Sequence, residues 1–486
     1  MNSIFHFFTA CWPRLLGAGI CAGGIFAGGF GAAAQPVVLI EEGRPQLSVW
    51  SGGVSEPVTE ALSNGIELAV KQPPSPRETA ASAAAQRETP KSKLAFINTG
   101  FENASPLQWQ TDSNGTIQVF LLYDYERNSP NRAAGHWHFQ LQGEPGADLT
   151  LVLHNFDNVY NGRPGVAVSK KSICYVSPNG KQWKVLPAEF LEGNCLRLRV
   201  HLDEPSLYLA RLEPYRLSDL QRLLGEIRGH PLVEITEIGR TVEGRPLEIV
   251  RVGKPDAPYR VLLRARAHAW EPGGNWVVQG LIRGLLSDDE VARRCLQRCC
   301  VYVLPMANKD SVARGRTRFN SLGKDLNRDW DRPADERLAP ENHALEAWIQ
   351  RMIERGARPH FAMDLHNDEG GGLHLSRPPI DGVERHLERM KRFEQLLRRH
   401  TWFTEGSSGS KFRNPGTLGE GLLERYGIDA CILEFNCNWI AGLKQYPSGE
   451  AWEQFGRGLR EVFYDYFGNP ESTQPPTGSE KARNGQ

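Results

Sequence analysis

The sequence predicts an α/β domain built on a mostly parallel mixed sheet with helices on both faces, preceded by an antiparallel β-sandwich domain. Three observations carry this. Residues 94–213 read as short strands divided by turn signals, the rhythm of a sandwich. From residue 214 strands alternate with helices, the rhythm of βαβ units, whose crossovers cover both faces of a sheet. The length, 486 residues, exceeds what one hydrophobic core holds.

Residues 1–34 read as a signal peptide. Arg14 precedes an apolar, Gly-rich stretch at 15–30, and Ala32-Ala33-Ala34 offers a small-residue cleavage site. Export to a periplasm or the medium is expected, with the cytoplasm as the alternative if the segment is not a working signal. No later stretch approaches the roughly 20 continuous apolar residues of a membrane span, so no stable span is expected after cleavage. Residues 35–93 form an extension and linker, with a short apolar run at 37–40 and Pro, Ser, Ala, Glu and Lys from 71 onward.

Within 94–213 the candidate strands are 117–121, 136–139, 149–153, 172–176, 196–200 and 207–212. Gly143-Glu144-Pro145-Gly146, Asn161-Gly162 and Pro178-Asn179-Gly180 mark turns between them. Within 214–468 strands are predicted at 259–264, 299–304, 360–365 and 430–434, and helices at 275–286, 341–354, 384–400 and 450–467. Residues 469–486 read as a disordered tail. Lys plus Arg equals Asp plus Glu, 57 each, so no global charge points to nucleic acid. Nine Cys are present, two of them before residue 34; Cys174 and Cys195 flank a hairpin and could pair if the protein is exported.

His268 and Glu271 form an HxxE, a spacing that recurs at His201/Glu204, His343/Glu346 and His366/Glu369. Placement separates the first from the rest. It follows the strand 260–264 and precedes a helix, at the carboxyl edge of the sheet, where open α/β sheets bind ligands. His366 ends the apolar strand 361–365 on the same edge. Two imidazoles and a carboxylate suit an open zinc site, although a pair of hydrogen-bonded loop histidines satisfies the same spacing. Glu434 ends the strand 430–433 and is a candidate general base or a strand-end salt bridge. The Arg-dense segment 314–328 suits a carboxylate ligand, because a guanidinium fork grips carboxylates, or is simply a solvated loop.

Together these residues resemble the carboxypeptidase A type of zinc metallocarboxypeptidase, and more closely its cytosolic carboxypeptidase branch. The match runs in order through Ala265-Arg266-Ala267-His268-Ala269-Trp270-Glu271, Pro305-Met306-Ala307-Asn308-Lys309-Asp310, Arg318 with Gly323-Lys324-Asp325-Leu326-Asn327-Arg328-Asp329-Trp330, Asp364-Leu365-His366 and Leu433-Glu434-Phe435. The resemblance implies one zinc per chain on His268, Glu271 and His366. It implies that Asn327 and Arg328 hold a substrate carboxylate, that Arg318 stabilises the oxyanion, and that Glu434 takes a proton from the attacking water and passes it to the leaving amine. The implied activity is removal of C-terminal amino acids from peptides or proteins. An amidase on cell-wall peptides, or a non-catalytic peptide-binding protein of the same fold, would use the same site. The match breaks at Leu423, where the family carries Tyr and Tyr426 is out of register, and at Gly419, where the cytosolic branch carries Arg. Lys411, Arg413 and Arg425 are the nearby cations.

Overall fold

The computed structural model describes residues 93–409 and 412–468, with a separate short hairpin of Val38–Glu41 and Arg44–Leu47. The expected signal peptide, most of the 35–93 extension, Lys411 and the expected tail lie outside the described residues. Among the described residues no helix is long and apolar enough to cross a membrane.

The first domain packs two five-stranded sheets face to face. One is antiparallel throughout and contains His138–Gly143 and Ile173–Ser177. The other contains Ile117–Leu121, Ala147–His154 and Cys195–Leu202. Its alternating strands send Ile117, Val119 and Leu121 inward, against Trp137, Phe139, Leu151 and Leu198. The expectation of a wholly antiparallel sandwich needs correcting. Ile117–Phe120 pair with Leu151–His154 in parallel, because the chain crosses between sheets in the intervening segment. A small third sheet holds Asp124–Tyr125, Arg132–Ala133, Asp157–Tyr160 and Arg163–Val166. Cys174 and Cys195 are both free. Cys174 is buried and accepts from Trp137 Nε1, while Cys195 sits beside His154 on the second sheet. Their separation into two sheets defeats the pairing that chain order suggested.

The second domain contains α1 (Leu217–Ile227), β1 (Val233–Arg240), β2 (Pro246–Val252), β3 (Tyr259–Ala265), α2 (Gly273–Leu285), α3 (Glu290–Arg298), β4 (Cys299–Leu304), α4 (Lys309–Ala313), α5 (Pro340–Glu354), β5 (Phe361–Asp368), β6 (Gly372–Leu375), α6 (Val383–His400), α7 (Leu418–Tyr426), β7 (Asp429–Asn436) and α8 (Gly449–Tyr466). The sheet order is β1-β2-β4-β3-β5-β7-β6. The four central strands are parallel, but the β1/β2, β2/β4 and β7/β6 pairings are antiparallel. The mostly parallel expectation therefore holds for the centre alone. The central strands are apolar runs buried on both sides. Val261, Leu263 and Ala265 of β3 face a cluster with α2, α6 and α8, whereas Leu262 faces α5 and α7.

Helices α2 and α8 cross backbone on backbone. A Cβ at Gly280 would stand 2.2 Å from Glu453 O, and one at Gly456 2.0 Å from Val277 O. Gly280→Ala is expected to lower stability by about 1–3 kcal/mol through overpacking, read as a fall in the urea midpoint. An unchanged midpoint would mean that the two helices separate without cost.

The two domains form one compact unit. Ile173 and Tyr175 of the β domain belong to the same apolar cluster as α2 and α8. Tyr175 OH donates to Pro447 O. Buried Arg211 donates to Asn438 Oδ1 at 2.8 Å and to Ile173 O at 3.3 Å, with Trp137 under its guanidinium.

Candidate metal centre

His268, Glu271 and His366 converge at the carboxyl edge of the parallel strands, and all three are buried. His268 Nδ1 lies 2.9 Å from Glu271 Oε1, His366 Nδ1 lies 2.7 Å from Glu271 Oε2, and the two Nδ1 atoms are 3.2 Å apart. Ligands about 2.0–2.1 Å from a tetrahedral zinc stand roughly 3.3 Å from one another. The donor triangle is thus close to the size that a small divalent ion requires. Burial alone would raise the Glu271 carboxyl, but the two imidazoles outweigh it and hold the group ionised.

The other face of each imidazole is fixed by a carboxylate. His268 Nε2 lies 3.1 Å from Asp325 Oδ1, and His366 Nε2 lies 2.7 Å from Asp364 Oδ2. With the ring N–H given to the carboxylate, the Nδ1 lone pair is left for a metal. Asp364 is in turn gripped by Arg264, whose Nε donates to Oδ1 at 2.8 Å; neither side chain of this pair is exposed. Arg264 also donates to Leu326 O at 2.9 Å and Asn327 Oδ1 at 3.0 Å, which ties the 326–327 loop to β3 and, through Asp364, to β5. Between β3 and His268 the chain passes through Arg266 at φ +62°, left-handed backbone that a non-glycine rarely adopts. Arg266 holds it there: its guanidinium donates to Ala269 O and Asn275 Oδ1, each at 2.8 Å, closing the loop that carries His268 and Glu271.

Glu434 on β7 is in register with His366 on β5. Both strands run two residues past these side chains, so the ligand and the carboxylate are held by the sheet rather than by its frayed end. Burial raises Glu434 well above the usual carboxylate range; His366 and Arg318 draw it down, while Asp368 and Glu271 push it further up. Its Oε2 is buried and has no hydrogen-bond partner among the described residues. Arg318 completes the group. Its Nε donates to Asp325 Oδ2 at 2.8 Å, and its Nη1 lies 3.5 Å from His268 Nδ1. A donor triangle, a high-pKa carboxylate beside it and a fixed cation can activate water, accept its proton and meet a developing oxyanion.

Residues 225–352 match the zinc carboxypeptidase family. Cytosolic carboxypeptidase 2 of Danio rerio is 31% identical over 196 residues, covering 38% of this chain and 27% of the relative. Cytosolic carboxypeptidase 1 of the same organism is 30% identical over 297 residues, covering 56% and 24%. The chain spans about a quarter of the length of these relatives. An uncharacterised protein of Zymomonas mobilis is 27% identical over 342 residues, 66% of this chain and 84% of that one. The fold is shared with a metallo-carboxypeptidase from Burkholderia cenocepacia, at a TM-score of 0.67 and 21% identity over 76% of this chain and 98% of that one. It is shared equally with a metallo-carboxypeptidase from Pseudomonas aeruginosa, at 0.65 and 22% over 76% and 100%.

The second domain places the remaining candidates unequally. Asn327 is buried, with Oδ1 accepting from Arg264 and from Leu418 N at 2.9 Å, and Nδ2 3.2 Å from His366 Nε2. Its amide oxygen is occupied by these two donors. Arg328 is half-buried, donates to Asn327 O at 2.7 Å and pairs with no carboxylate among the described residues. Leu423 is buried inside α7, and Tyr426 OH donates to Glu346 Oε1 at 2.7 Å. Gly419 abuts Ser376, where a Cβ would stand 2.6 Å from Oγ. Arg425 pairs with Glu346. Of the other HxxE pairs, His201 bonds Asp148 at the surface, and Glu346 serves Arg425 and Tyr426. Glu369 accepts from Ser169, Ser172 and Asn438, linking the β domain to the segment after β7. Asp325, Asp364 and Arg264 were not predicted as site residues. An arginine inside the apolar strand 259–265 was the available signal for the last.

Proposed function

We propose that the chain is a zinc-dependent carboxypeptidase that removes C-terminal residues from peptides or proteins. The observation that carries this reading is the His268–Glu271–His366 triangle with Glu434 in register beside it. Zinc held by the triangle supplies Lewis acidity and a lowered pKa for bound water. The chain's own residues do the rest. Glu434, drawn up in pKa by burial, accepts the proton of the attacking water and returns it to the leaving amine. Arg318, oriented by Asp325, meets the oxyanion as it develops. Arg328, which pairs with no carboxylate among the described residues, takes the substrate's terminal carboxylate, beside Asn327, whose amide oxygen is held by Arg264 and Leu418 N.

The test is incubation of the purified protein with peptides that differ in their last residue, followed by mass spectrometry. Loss of single C-terminal residues is expected, abolished by a chelator and restored by zinc. Internal cleavage, or release indifferent to the chelator, sinks the reading.

A further inference from the structure

We propose that the β domain completes the catalytic centre through Tyr160, a positioning residue whose ring face holds the Arg318 guanidinium in place. This rests on the reading above, in which Arg318 faces the oxyanion.

Tyr160 ends the strand Asp157–Tyr160, which turns through Asn161 and Gly162 into Arg163–Val166. Both turn residues are left-handed, with φ +51° and +71°, the signature of a tight hairpin turn whose twist matches its strands. The arm is braced at its base, where Arg132 Nε donates to Asp157 O at 2.8 Å and Asn194 Nδ2 to Asp157 Oδ1 at 2.7 Å. Asn158 holds the ring: its Oδ1 accepts from Ala134 N at 2.7 Å and its Nδ2 donates to Tyr160 OH at 3.2 Å. The Arg318 Cζ lies 5.0 Å from the ring centroid, within the reach of a cation–π contact. Burial raises the phenol more than Arg318 lowers it, so the ring meets the cation as a neutral phenol.

A second β-domain residue holds the same arginine by its backbone. Asp124 Oδ2 accepts from Thr317 N and Arg318 N, each at 2.8 Å. Asp325 takes the guanidinium edge through Nε and Nη2. Backbone, edge and face are thus all occupied, and Nη1 is the part left pointing at the His268 side of the triangle. A free arginine would have to freeze several rotors as the oxyanion forms; here they are frozen beforehand. No tyrosine comes from α7, where Leu423 is buried and Tyr426 is turned to Glu346. The aromatic ring beside the arginine comes from the other domain.

The test is a double-mutant cycle of Tyr160→Leu and Arg318→Ala in the full chain, with Tyr160→Phe alongside. Tyr160→Leu is expected to lower kcat about tenfold with little change in KM, Tyr160→Phe to stay within about twofold because it keeps the ring face, and Tyr160→Leu to add nothing once Arg318 is Ala. A cobalt absorption spectrum like that of the wild type shows the metal centre intact in each variant. Wild-type kcat in Tyr160→Leu, an equal loss in Tyr160→Phe, or additive losses in the cycle each overturn the proposal. Should Tyr160→Leu fail to fold, Tyr160→Phe and Tyr160→Trp carry the test, and a tenfold loss in both overturns it. If the wild type releases no C-terminal residue, the functional reading fails instead. The Tyr160–Arg318 contact is then judged from the same cycle in thermal midpoints, where additivity overturns it.

Discussion

Replacing Glu434 by Gln is expected to lower kcat/KM by about 10²–10⁴ while metal affinity stays close to that of the wild type. The amide keeps the shape and the strand register with His366 but cannot accept a proton. Steady-state kinetics with a peptide substrate and a competitive zinc titration read the two quantities separately. Retention of wild-type turnover would take the base role away from Glu434. Loss of the metal would instead mean that the side chain belongs to the triangle.

The second large effect falls on structure. Asp364→Asn leaves the fully buried Arg264 without its counter-charge and His366 without its carboxylate. Removing one partner of a buried ion pair costs about 3–5 kcal/mol, because the remaining charge stays out of water. Removing the carboxylate behind a metal-binding imidazole weakens metal affinity about 10–100-fold. A chemical denaturation curve and a chelator competition check the two parts. A variant with wild-type stability and unchanged zinc affinity would show that Arg264 finds enough acceptors in Leu326 O and Asn327 Oδ1 alone.

The donor triangle was legible in the sequence because both histidines follow apolar runs that read as central strands. His268, His366 and Glu434 inherit their neighbourhood from the sheet, and strand order alone brings them together. The parallel centre was readable for the same reason, while the antiparallel strands β1, β2 and β6 were not, since β1 and β2 interleave charged and apolar residues and β6 is only four residues long. Asn327 and Arg328 show the limit of a motif. Adjacent in sequence, they diverge in space, because Arg264 and Leu418 N capture the first side chain and leave the second half-exposed. Asp124 and Tyr160 left no local trace. They lie 194 and 158 positions before Arg318, and their contacts with it exist only after two domains have docked. Cys174 and Cys195, which chain order would allow to pair, stay apart for a related reason: proximity along the chain gave no information about which sheet each strand joins.

The buried guanidinium of Arg211, shared between the β domain and Asn438, has a consequence for inheritance. A segment such as 225–352, recognisable by its sequence, is not a portable module. Cutting the chain before residue 214 would strip Arg318 of its backbone acceptor and its aromatic support and uncover the apolar surface of the second domain that Ile173 and Tyr175 cover. A deletion that keeps the contacts of Arg318 must therefore carry both domains together.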